Sequence, residues 1–352
     1  MRTFVMESIG QTGFKDKPVP EAGPNDAIVK TTVALVCTSD THTLKGAIGD
    51  RDDLTLGHEA VGVVESVGEA VEQFQPGDRV AVGAITPDFD DVNSQNGYPS
   101  QSGGMLGGWK FANIKDGVFA DYFHVNDADA NMARIPDSIA DEKAVYVTDM
   151  MSTGFMGAER ANIPVGGTAV VFAQGPVGLM ATVGCTLRGA GQVFAVESVD
   201  ERQELARRYG ASEVIDFTET DPVETLMDLT DGEGVDSAIE SLGAQVTFEG
   251  CIRATRPGGT ISVVGYFGEG DYVKIPREDW GVGMGGKSIN TGLCPGGRLR
   301  LQRLLRLLES GRVDPTPMTT HEFGFDQVDE ALRLMDTKED GVIKPLIHFN
   351  GG

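Results

Sequence analysis

Residues 168–178 read Thr-Ala-Val-Val-Phe-Ala-Gln-Gly-Pro-Val-Gly, a continuous apolar run followed by a turn that contains glycine. An uninterrupted apolar run of this length is typical of a strand buried on both faces of a parallel sheet. The turn matches G-x-G-x-x-G with Ala173 at the first glycine position, a pattern that joins a strand to a helix whose N-terminus binds phosphates. A plain tight turn shows the same short pattern, so the surrounding sequence has to decide. The predicted cofactor-binding residues in this turn are Gly175, Pro176, Val177 and Gly178.

Strand and helix patterns alternate on the C-terminal side of this turn. This alternation predicts an α/β fold with a doubly wound parallel sheet over residues 153–293. Glu197 ends the second predicted strand, where a carboxylate accepts hydrogen bonds from a ribose diol and repels a 2′-phosphate. An exposed charge at a strand end is the alternative. Further candidate cofactor residues are Ser198, Arg202 and Tyr266. The predicted strands are 168–172, 192–196, 212–217, 235–240 and 260–265, and the predicted helices are 177–188 and 201–209.

The first 150 residues show a different pattern, with short β-type runs bounded by Gly, Pro and Asp and with weak helical periodicity. They predict a mostly-β, barrel-like domain with strands over 27–33, 60–67 and 79–82. After Cys294, a strongly periodic stretch predicts a helix over 298–308. Residues 342–349 predict a closing strand.

The composition excludes several classes of partner. The formal net charge is −24, and such a chain repels nucleic acid and anionic membranes. The acidic residues are scattered, which predicts a halophilic surface adapted to high salt; an ordinary acidic cytosolic enzyme is the alternative. No apolar stretch reaches the roughly 18 residues that span a bilayer, and the N-terminus has no signal-peptide core. The predicted location is therefore cytoplasmic. The cysteines are far apart and predict neither a disulfide framework nor a thiolate zinc cluster; they are Cys37, Cys185, Cys251 and Cys294.

Three short segments carry candidate metal ligands. Cys37 begins Cys-Thr-Ser-Asp-Thr-His, His58 and Glu59 lie in Gly-His-Glu-Ala-Val-Gly, and Asp149 lies in Thr-Asp-Met-Met. A catalytic zinc ion takes three protein ligands and keeps one position open, and one thiolate, one imidazole and one carboxylate satisfy that need. Spacing alone leaves an alternative, since a lone cysteine is usually a small buried hydrophobic residue and a lone histidine is usually a core residue.

Several motifs resemble those of zinc-containing medium-chain alcohol dehydrogenases. The pattern Gly57-His58-Glu59-x-x-Gly62-x₅-Gly68-x-x-Val71 resembles the signature of that family, and Pro-Gly-Asp-Arg-Val at 76–80 is similar to its next segment. Other stretches resemble the bacterial and archaeal secondary-alcohol dehydrogenases more specifically, and the resemblance runs essentially end to end. These stretches are Trp-Lys-Phe at 109–111, Asp-Gly-Val-Phe at 116–119, Tyr-Phe-His-Val-Asn-Asp-Ala-Asp at 122–129 and Gly-Leu-Cys-Pro-Gly-Gly-Arg-Leu-Arg at 292–300.

The resemblance implies a fold and a set of roles. It implies a GroES-like catalytic domain over 1–152 and 294–352 and a Rossmann domain over 153–293. It implies zinc on Cys37, His58 and Asp149, with Glu59 beside the metal as an outer group or exchangeable ligand. Ser39 would hydrogen-bond the substrate oxygen, and His42 would pass the proton onward. The relatives' homotetramer is expected here too, with Met284 either reaching a neighbouring subunit's pocket or lying in an ordinary core. The implied substrate pocket is lined by Ile85, Trp109, Met151 and Cys294.

Two departures from the family pattern concern the cofactors. Residues 83–108 contain no cysteine, so a second, structural zinc is not expected. Close relatives that use NADP have Gly-Ser-Arg after the second strand, whereas this chain has Glu197-Ser198-Val199. We therefore predict NAD, with NADP as the alternative if Arg202 approaches a 2′-phosphate.

The predicted function is reversible hydride transfer between a small secondary alcohol or ketone and a nicotinamide cofactor, with a catalytic metal. The alternatives are a polyol or sugar dehydrogenase and a metal-free quinone reductase of the same fold. A non-catalytic nucleotide-binding protein would need neither the metal ligands nor the pair Ser39 and His42.

Overall fold

The computed structural model describes residues 1–349. The chain divides into two compact units, Met1–Ser152 with Cys294–Gly352, and Thr153–Leu293. Residues 350–352 of the predicted catalytic domain lie outside the described part of the chain. We call the first unit the catalytic unit and the second the nucleotide unit.

The elements are numbered in chain order. The strands are β1 (Arg2–Ser8), β2 (Gln11–Asp16), β3 (Ala27–Leu35), β4 (Leu54–Thr55), β5 (Glu59–Val67), β6 (Arg79–Val82), β7 (Tyr122–Val125), β8 (Met132–Arg134), β9 (Thr168–Phe172), β10 (Gln192–Val196), β11 (Glu213–Ile215), β12 (Val235–Glu240), β13 (Thr255–Val263), β14 (Ser288–Thr291), β15 (Thr319–Gly324) and β16 (Lys344–His348). The helices are α1 (Thr38–Leu44), α2 (Val92–Gln95), α3 (Ala128–Asn131), α4 (Asp141–Ala144), α5 (Met150–Arg160), α6 (Pro176–Leu187), α7 (Asp200–Arg208), α8 (Pro222–Leu229), α9 (Gln245–Ala254), α10 (Arg298–Glu309) and α11 (Val328–Thr337).

The nucleotide unit is built on one parallel sheet with the strand order β11-β10-β9-β12-β13-β14. The order reverses beside β9, which is the arrangement of a doubly wound sheet that binds ligands at the carboxyl ends of its strands. Strands β9, β10 and β12 have the predicted bounds, and their apolar side chains are buried. The predicted doubly wound fold is confirmed.

Three strands of this sheet differ from the prediction. Strand β11 is Glu213–Ile215, shorter than the predicted 212–217. Strand β13 begins at Thr255, five residues before the predicted start, because an irregularity in its pairing with β12 accommodates Pro257, Gly258 and Gly259. Strand β14 was not predicted, since Ser-Ile-Asn-Thr contains a single apolar residue and has no buried face that sequence periodicity could indicate.

The junction between β9 and α6 explains the glycine pattern of the turn. A Cβ atom added at Gly178 would lie 2.0 Å from the carbonyl oxygen of Ala173, so only glycine lets the helix pack this close to the strand. Ala173, at the position where the pattern has glycine, adopts a φ of +70°, a conformation that is strained for alanine. Pro176 occupies the first turn of α6, where its missing N–H costs no helical hydrogen bond.

The catalytic unit contains a large mixed sheet with the order β15-β16-β3-β5-β6-β8, with β7 also paired to β3, and a small sheet with the order β2-β1-β4. One apolar core joins the sheets and α11, and it includes Phe4, Val29 and Ile347. The predicted strand over 79–82 is confirmed, and the predicted closing strand is shorter, as β16. Strands β1 and β2 were not predicted from the sequence. Among the described residues, none of the helices combines the length and apolarity that crossing a bilayer requires.

Candidate active site

Cys37 follows the end of β3 and immediately precedes α1. Asp40, at the third position of that helix, accepts a hydrogen bond of 2.8 Å from the backbone N–H of Cys37 to its Oδ2 atom. This contact fixes the first turn and the direction of the thiol. The Sγ atom of Cys37 lies 3.3 Å from the Oγ atom of Ser39, so the thiol and the hydroxyl share one pocket.

Asp40 also orients His58, which immediately precedes β5. The Oδ1 atom of Asp40 lies 2.9 Å from Nδ1 of His58, and both side chains are nearly fully buried. A carboxylate on Nδ1 fixes the proton there and leaves Nε2 as the free ligand atom, as is usual behind metal-bound histidines. That Nε2 atom lies 3.6 Å from Oδ2 of Asp149 and 3.9 Å from Oε1 of Glu59.

Four ligand atoms converge at this point. One atom each from Cys37, His58, Glu59 and Asp149 lies within 4.8 Å of every other. Zinc holds such ligands at about 2.0–2.3 Å, which requires ligand atoms this close to one another. The Oε2 atom of Glu59 is buried and has no hydrogen-bond partner among the described residues, so a cation held in the cluster would offset the cost of burying this oxygen. The donor set and the geometry therefore fit a zinc ion.

Electrostatics in the cluster favour a cation. Burial lowers the pKa of His58, but the charge of Asp40 and hydrogen bonds with Asp149, Asp40 and Cys37 raise this pKa well above its ordinary value. Burial likewise disfavours the ammonium of Lys344, but the facing charges of Cys37, Glu59 and Asp149 raise the Lys344 pKa above its ordinary value. Negative potential of this kind attracts a metal ion.

Sequence reasoning missed two residues of this centre. Asp40 had a signal, since it stands three residues after Cys37, at the position where a side chain can close a helix N-terminus. Lys344 had no signal beyond its presence in an apolar segment. It is 0% exposed and donates a hydrogen bond of 2.6 Å to Oε1 of Glu59.

The predicted proton-transfer residues lie on α1. Ser39 and His42 are three residues apart and thus lie on the same side of the helix. Burial, followed by the charges of Lys45 and Lys338, lowers the pKa of His42 below 6.5. His42 is therefore neutral at neutral pH and is able to accept a proton.

The segments that carry the predicted pocket residues are neighbours in the catalytic unit. The side chain of Ile85 lies against Gly108, since a Cβ atom added to that glycine would be 3.0 Å from Ile85 Cγ2. The backbone of Ile85 lies against Gly296, since a Cβ atom added there would be 2.1 Å from Ile85 O. Those glycines adjoin Trp109 and the segment of Cys294. The Ser152 hydroxyl, next to Met151, donates to Pro295 O at 2.8 Å. Ile85, Met151 and Cys294 are buried, and Trp109 is half-buried.

The predicted cofactor residues of the nucleotide unit surround the turn after β9. The Glu197 carboxylate accepts hydrogen bonds from the backbone N–H groups of Gln174 at 3.0 Å, Ser198 at 2.9 Å and Val199 at 3.1 Å. The Arg202 guanidinium lies 3.9 Å from Glu197. A Cβ atom added at Gly175 would meet no atom within 4 Å, so space remains at that backbone for a ligand.

The remaining two candidates of the nucleotide unit lie at its surface. Tyr266 is 45% exposed and Met284 is 83% exposed. The exposure of Met284 is inconsistent with an ordinary core methionine within this chain.

Comparisons with known proteins agree with this geometry. A family model described as an alcohol dehydrogenase GroES-like domain matches residues 23–137, and one described as a zinc-binding dehydrogenase matches residues 176–310. The chain is 50% identical over 350 residues to the NADP-dependent isopropanol dehydrogenase of Thermoanaerobacter brockii, with 99% of each chain covered. It is 48% identical over 352 residues to the NADP-dependent isopropanol dehydrogenase of Entamoeba histolytica, with 99% of this chain and 96% of that protein covered.

A solved structure extends the likeness to the whole fold. The alcohol dehydrogenase TADH from Thermus sp. ATN1 matches with a TM-score of 0.89 and 28% sequence identity, covering 99% of this chain and 100% of that one. Together these matches confirm the predicted GroES-like and Rossmann-type domains. The chain therefore belongs to the zinc-binding medium-chain alcohol dehydrogenases.

Proposed function

We propose that this enzyme interconverts small secondary alcohols and ketones with a metal ion held by Cys37, His58 and Asp149. The observation that carries the proposal is the convergence of these three ligands with Glu59, within 4.8 Å of one another. The names of the two relatives, both isopropanol dehydrogenases, support a secondary-alcohol substrate. A metal-free quinone reductase would have no need of this ligand set.

The roles of the chain's own residues follow from their positions. When bound, zinc supplies a Lewis acid that lowers the pKa of an alcohol hydroxyl, and the nicotinamide supplies the hydride acceptor. Ser39, whose Oγ lies 3.3 Å from Cys37 Sγ, would accept the proton of the alcohol hydroxyl as its own hydroxyl proton leaves towards His42. Neutral His42, one helical turn further along α1, takes the proton towards solvent.

The pocket supports a small, apolar substrate. The backbone of Ile85 lies against Gly296 and its side chain lies against Gly108, which supports its role as a wall of the pocket. Buried Met151 has no hydrogen-bond donor in its side chain, and the thiol of buried Cys294 donates to Pro295 O at 3.8 Å, so neither suits a substrate with many hydroxyl groups. We infer that Ile85 and Trp109 define a small and a large side of the pocket.

We propose that this chain prefers NAD, and here it would depart from its relatives. The names of those relatives favour NADP. The proposal rests on Glu197, whose carboxylate is held at the phosphate-binding turn by three backbone N–H groups. A fixed negative charge there opposes a 2′-phosphate. The ratio of kcat/KM for the two cofactors tests the proposal, and a ratio that favours NADP would assign the discrimination to Arg202 instead.

We also propose that the chain forms a homo-oligomer. Two segments that lack acidic residues and expose apolar side chains support this proposal. Residues 92–115 and 280–308 contain no Asp or Glu in a chain of net charge −24. The first segment exposes Tyr98 (56%) and Met105 (91%), and the second exposes Met284 (83%). Exposed apolar side chains without carboxylates are suited to contact a second copy of a chain that otherwise repels itself. Analytical ultracentrifugation tests this, since a monomer at all protein concentrations would contradict it.

The test of the function combines metal analysis with a substrate screen. The purified chain should contain one zinc or similar ion and should oxidise propan-2-ol faster than propan-1-ol or a sugar alcohol. Removal of the metal with a chelator should abolish turnover, and zinc should restore it. Full activity without metal, or a preference for the sugar alcohol, would reject the proposal.

A further inference from the structure

The buried ion pair between Lys344 and Glu59 lies directly behind the metal ligands. Both side chains are 0% exposed, and Nζ donates to Oε1 at 2.6 Å. A buried ion pair contributes little net stability, because the desolvation of two charges offsets their attraction. A stabilising role alone therefore does not account for it.

Strand register brings Lys344 to this position. Leu346 of β16 pairs with Leu35 of β3, and the strands are antiparallel, so Lys344 lies beside the residue that follows β3 by two positions, which is Cys37. On the other side of β3, Leu35 pairs with Glu59 of β5. The neighbouring ends of three adjacent strands thus carry an ammonium, a thiol and a carboxylate.

The charges of the cluster balance when Lys344 is included. Metal binding deprotonates its ligands, so Cys37 and Asp149 carry two negative charges, and the carboxylate of Glu59 beside them adds a third. A divalent ion neutralises two of them, and Lys344 neutralises the third. The carboxylate of Asp40 is engaged separately, by the N–H of Cys37 and by His58.

Glu59 is close enough to compete with substrate for the metal. Its Oε1 atom lies 3.9 Å from His58 Nε2, and its buried Oε2 atom has no hydrogen-bond partner among the described residues. Without Lys344, a bound metal would be the cation best placed to neutralise this carboxylate. A fourth protein ligand would then fill the position that a catalytic zinc ion keeps open.

We propose that Lys344 is a positioning residue that restrains Glu59 through Oε1 and thereby keeps the fourth ligand position open for the substrate oxygen. This inference rests on the metal site of the proposed function. Lys344 does not touch substrate in this scheme; it acts through Glu59.

A double-mutant cycle tests the proposal, with Lys344→Met, Glu59→Gln and the double variant compared with the unaltered enzyme. Each is loaded with Co²⁺, whose visible absorption bands report the number of ligands, and the rate of metal loss to a chelator is measured. Lys344→Met should shift the bands and slow metal loss, because Glu59 takes the fourth ligand position. Glu59→Gln should speed metal loss by about 10–100-fold, the usual effect of losing a supporting group of a metal site. The double variant should regain the bands of the unaltered enzyme.

Two control variants separate this role from general damage. Lys344→Arg keeps the charge and should keep the bands. Lys115→Met removes another lysine side chain, a half-buried one that hydrogen-bonds to the backbone of His124 and to Asn126, and it should also leave the bands unchanged.

Unchanged bands in Lys344→Met, or altered bands that persist in the double variant, would overturn the proposal. If Lys344→Met does not fold, the double variant must lose metal at the same rate as Glu59→Gln, because Lys344 acts only through Glu59, and a clearly different rate would overturn the proposal as well. If the unaltered enzyme binds neither Co²⁺ nor Zn²⁺, the proposed function itself fails.

Discussion

Substitution of Asp40 by asparagine should weaken metal binding, although Asp40 is not itself a proposed ligand. Asp40 is 1% exposed and accepts two hydrogen bonds, from the N–H of Cys37 at 2.8 Å and from Nδ1 of His58 at 2.9 Å. Asparagine has one acceptor atom and one donor group in the same shape. It therefore serves only one of the two partners.

Each orientation of the amide carries a cost. If its oxygen faces His58, the NH₂ group meets the N–H of Cys37, and a buried donor is left unsatisfied at a cost of about 1–3 kcal/mol. If the oxygen faces Cys37, the NH₂ group donates to Nδ1 of His58. The proton then moves to Nε2, the atom that would bind the metal. Either way, the metal dissociation constant should rise by about 10–100-fold, which corresponds to about 1.4–2.7 kcal/mol.

The assay is competition for zinc against a chromophoric chelator, with metal affinity and the apo-protein's unfolding free energy measured for each variant. The matched control is Asp236→Asn, which removes a carboxylate that accepts hydrogen bonds from Thr168 and Arg256 in the nucleotide unit. That control should lower stability and leave zinc affinity unchanged. A zinc affinity of Asp40→Asn within twofold of the unaltered enzyme would refute the reasoning, as would an equal loss in the control.

Four further predictions follow from the site and the surface. Glu197→Gly should raise the kcat/KM ratio of NADP over NAD by about tenfold or more, since like charges a few ångströms apart cost more than about 1.4 kcal/mol; an unchanged ratio would contradict the assignment. Ile85→Ala should admit bulkier ketones, with kcat/KM for a substrate one methylene larger rising by about tenfold, and an unaltered substrate range would exclude Ile85 as a pocket wall. The acid limb of the pH–kcat/KM profile should lie below pH 6.5, because burial lowers the pKa of His42 and protonation there removes the proton acceptor; in His42→Asn this limb should vanish. Tm should rise with KCl, because the Debye length falls from about 10 Å at 0.1 M to about 3 Å at 1 M, and a Tm that stays flat over this range would reject the predicted adaptation to salt.

Sequence patterns predicted the features that depend on local chemistry. The buried strands β9, β10 and β12 follow from continuous apolar runs, and the β9–α6 junction follows from Gly178. The edge strand β14 was not predicted, because a single apolar residue among four shows no alternating pattern. Strand β13 started early because a pairing irregularity absorbed a Pro-Gly-Gly segment that resembles a turn.

The metal cluster shows a second limit of sequence reasoning. Cys37, His58 and Asp149 are distant in sequence, and spacing alone allowed Cys37 and His58 to be ordinary core residues. Their proximity arises from strand pairing, as between Leu35 and Glu59. The role of Lys344 was not predictable for the same reason. A lysine in an apolar segment has no assignable role until strand pairing shows which residue lies beside it.

The position of β16 has a consequence for how the enzyme is made. This strand is inserted between β15 and β3, so a sheet begun near the N-terminus is completed only when residues 344–348 have emerged from the ribosome. At about 5–20 residues per second, Lys344 appears roughly 10–40 s after Asp149. The nucleotide unit is continuous in sequence and is free to fold during that interval. We therefore expect metal capture to be a late event in biosynthesis, and until then the nascent thiol of Cys37 stays open to oxidation and to the wrong metal.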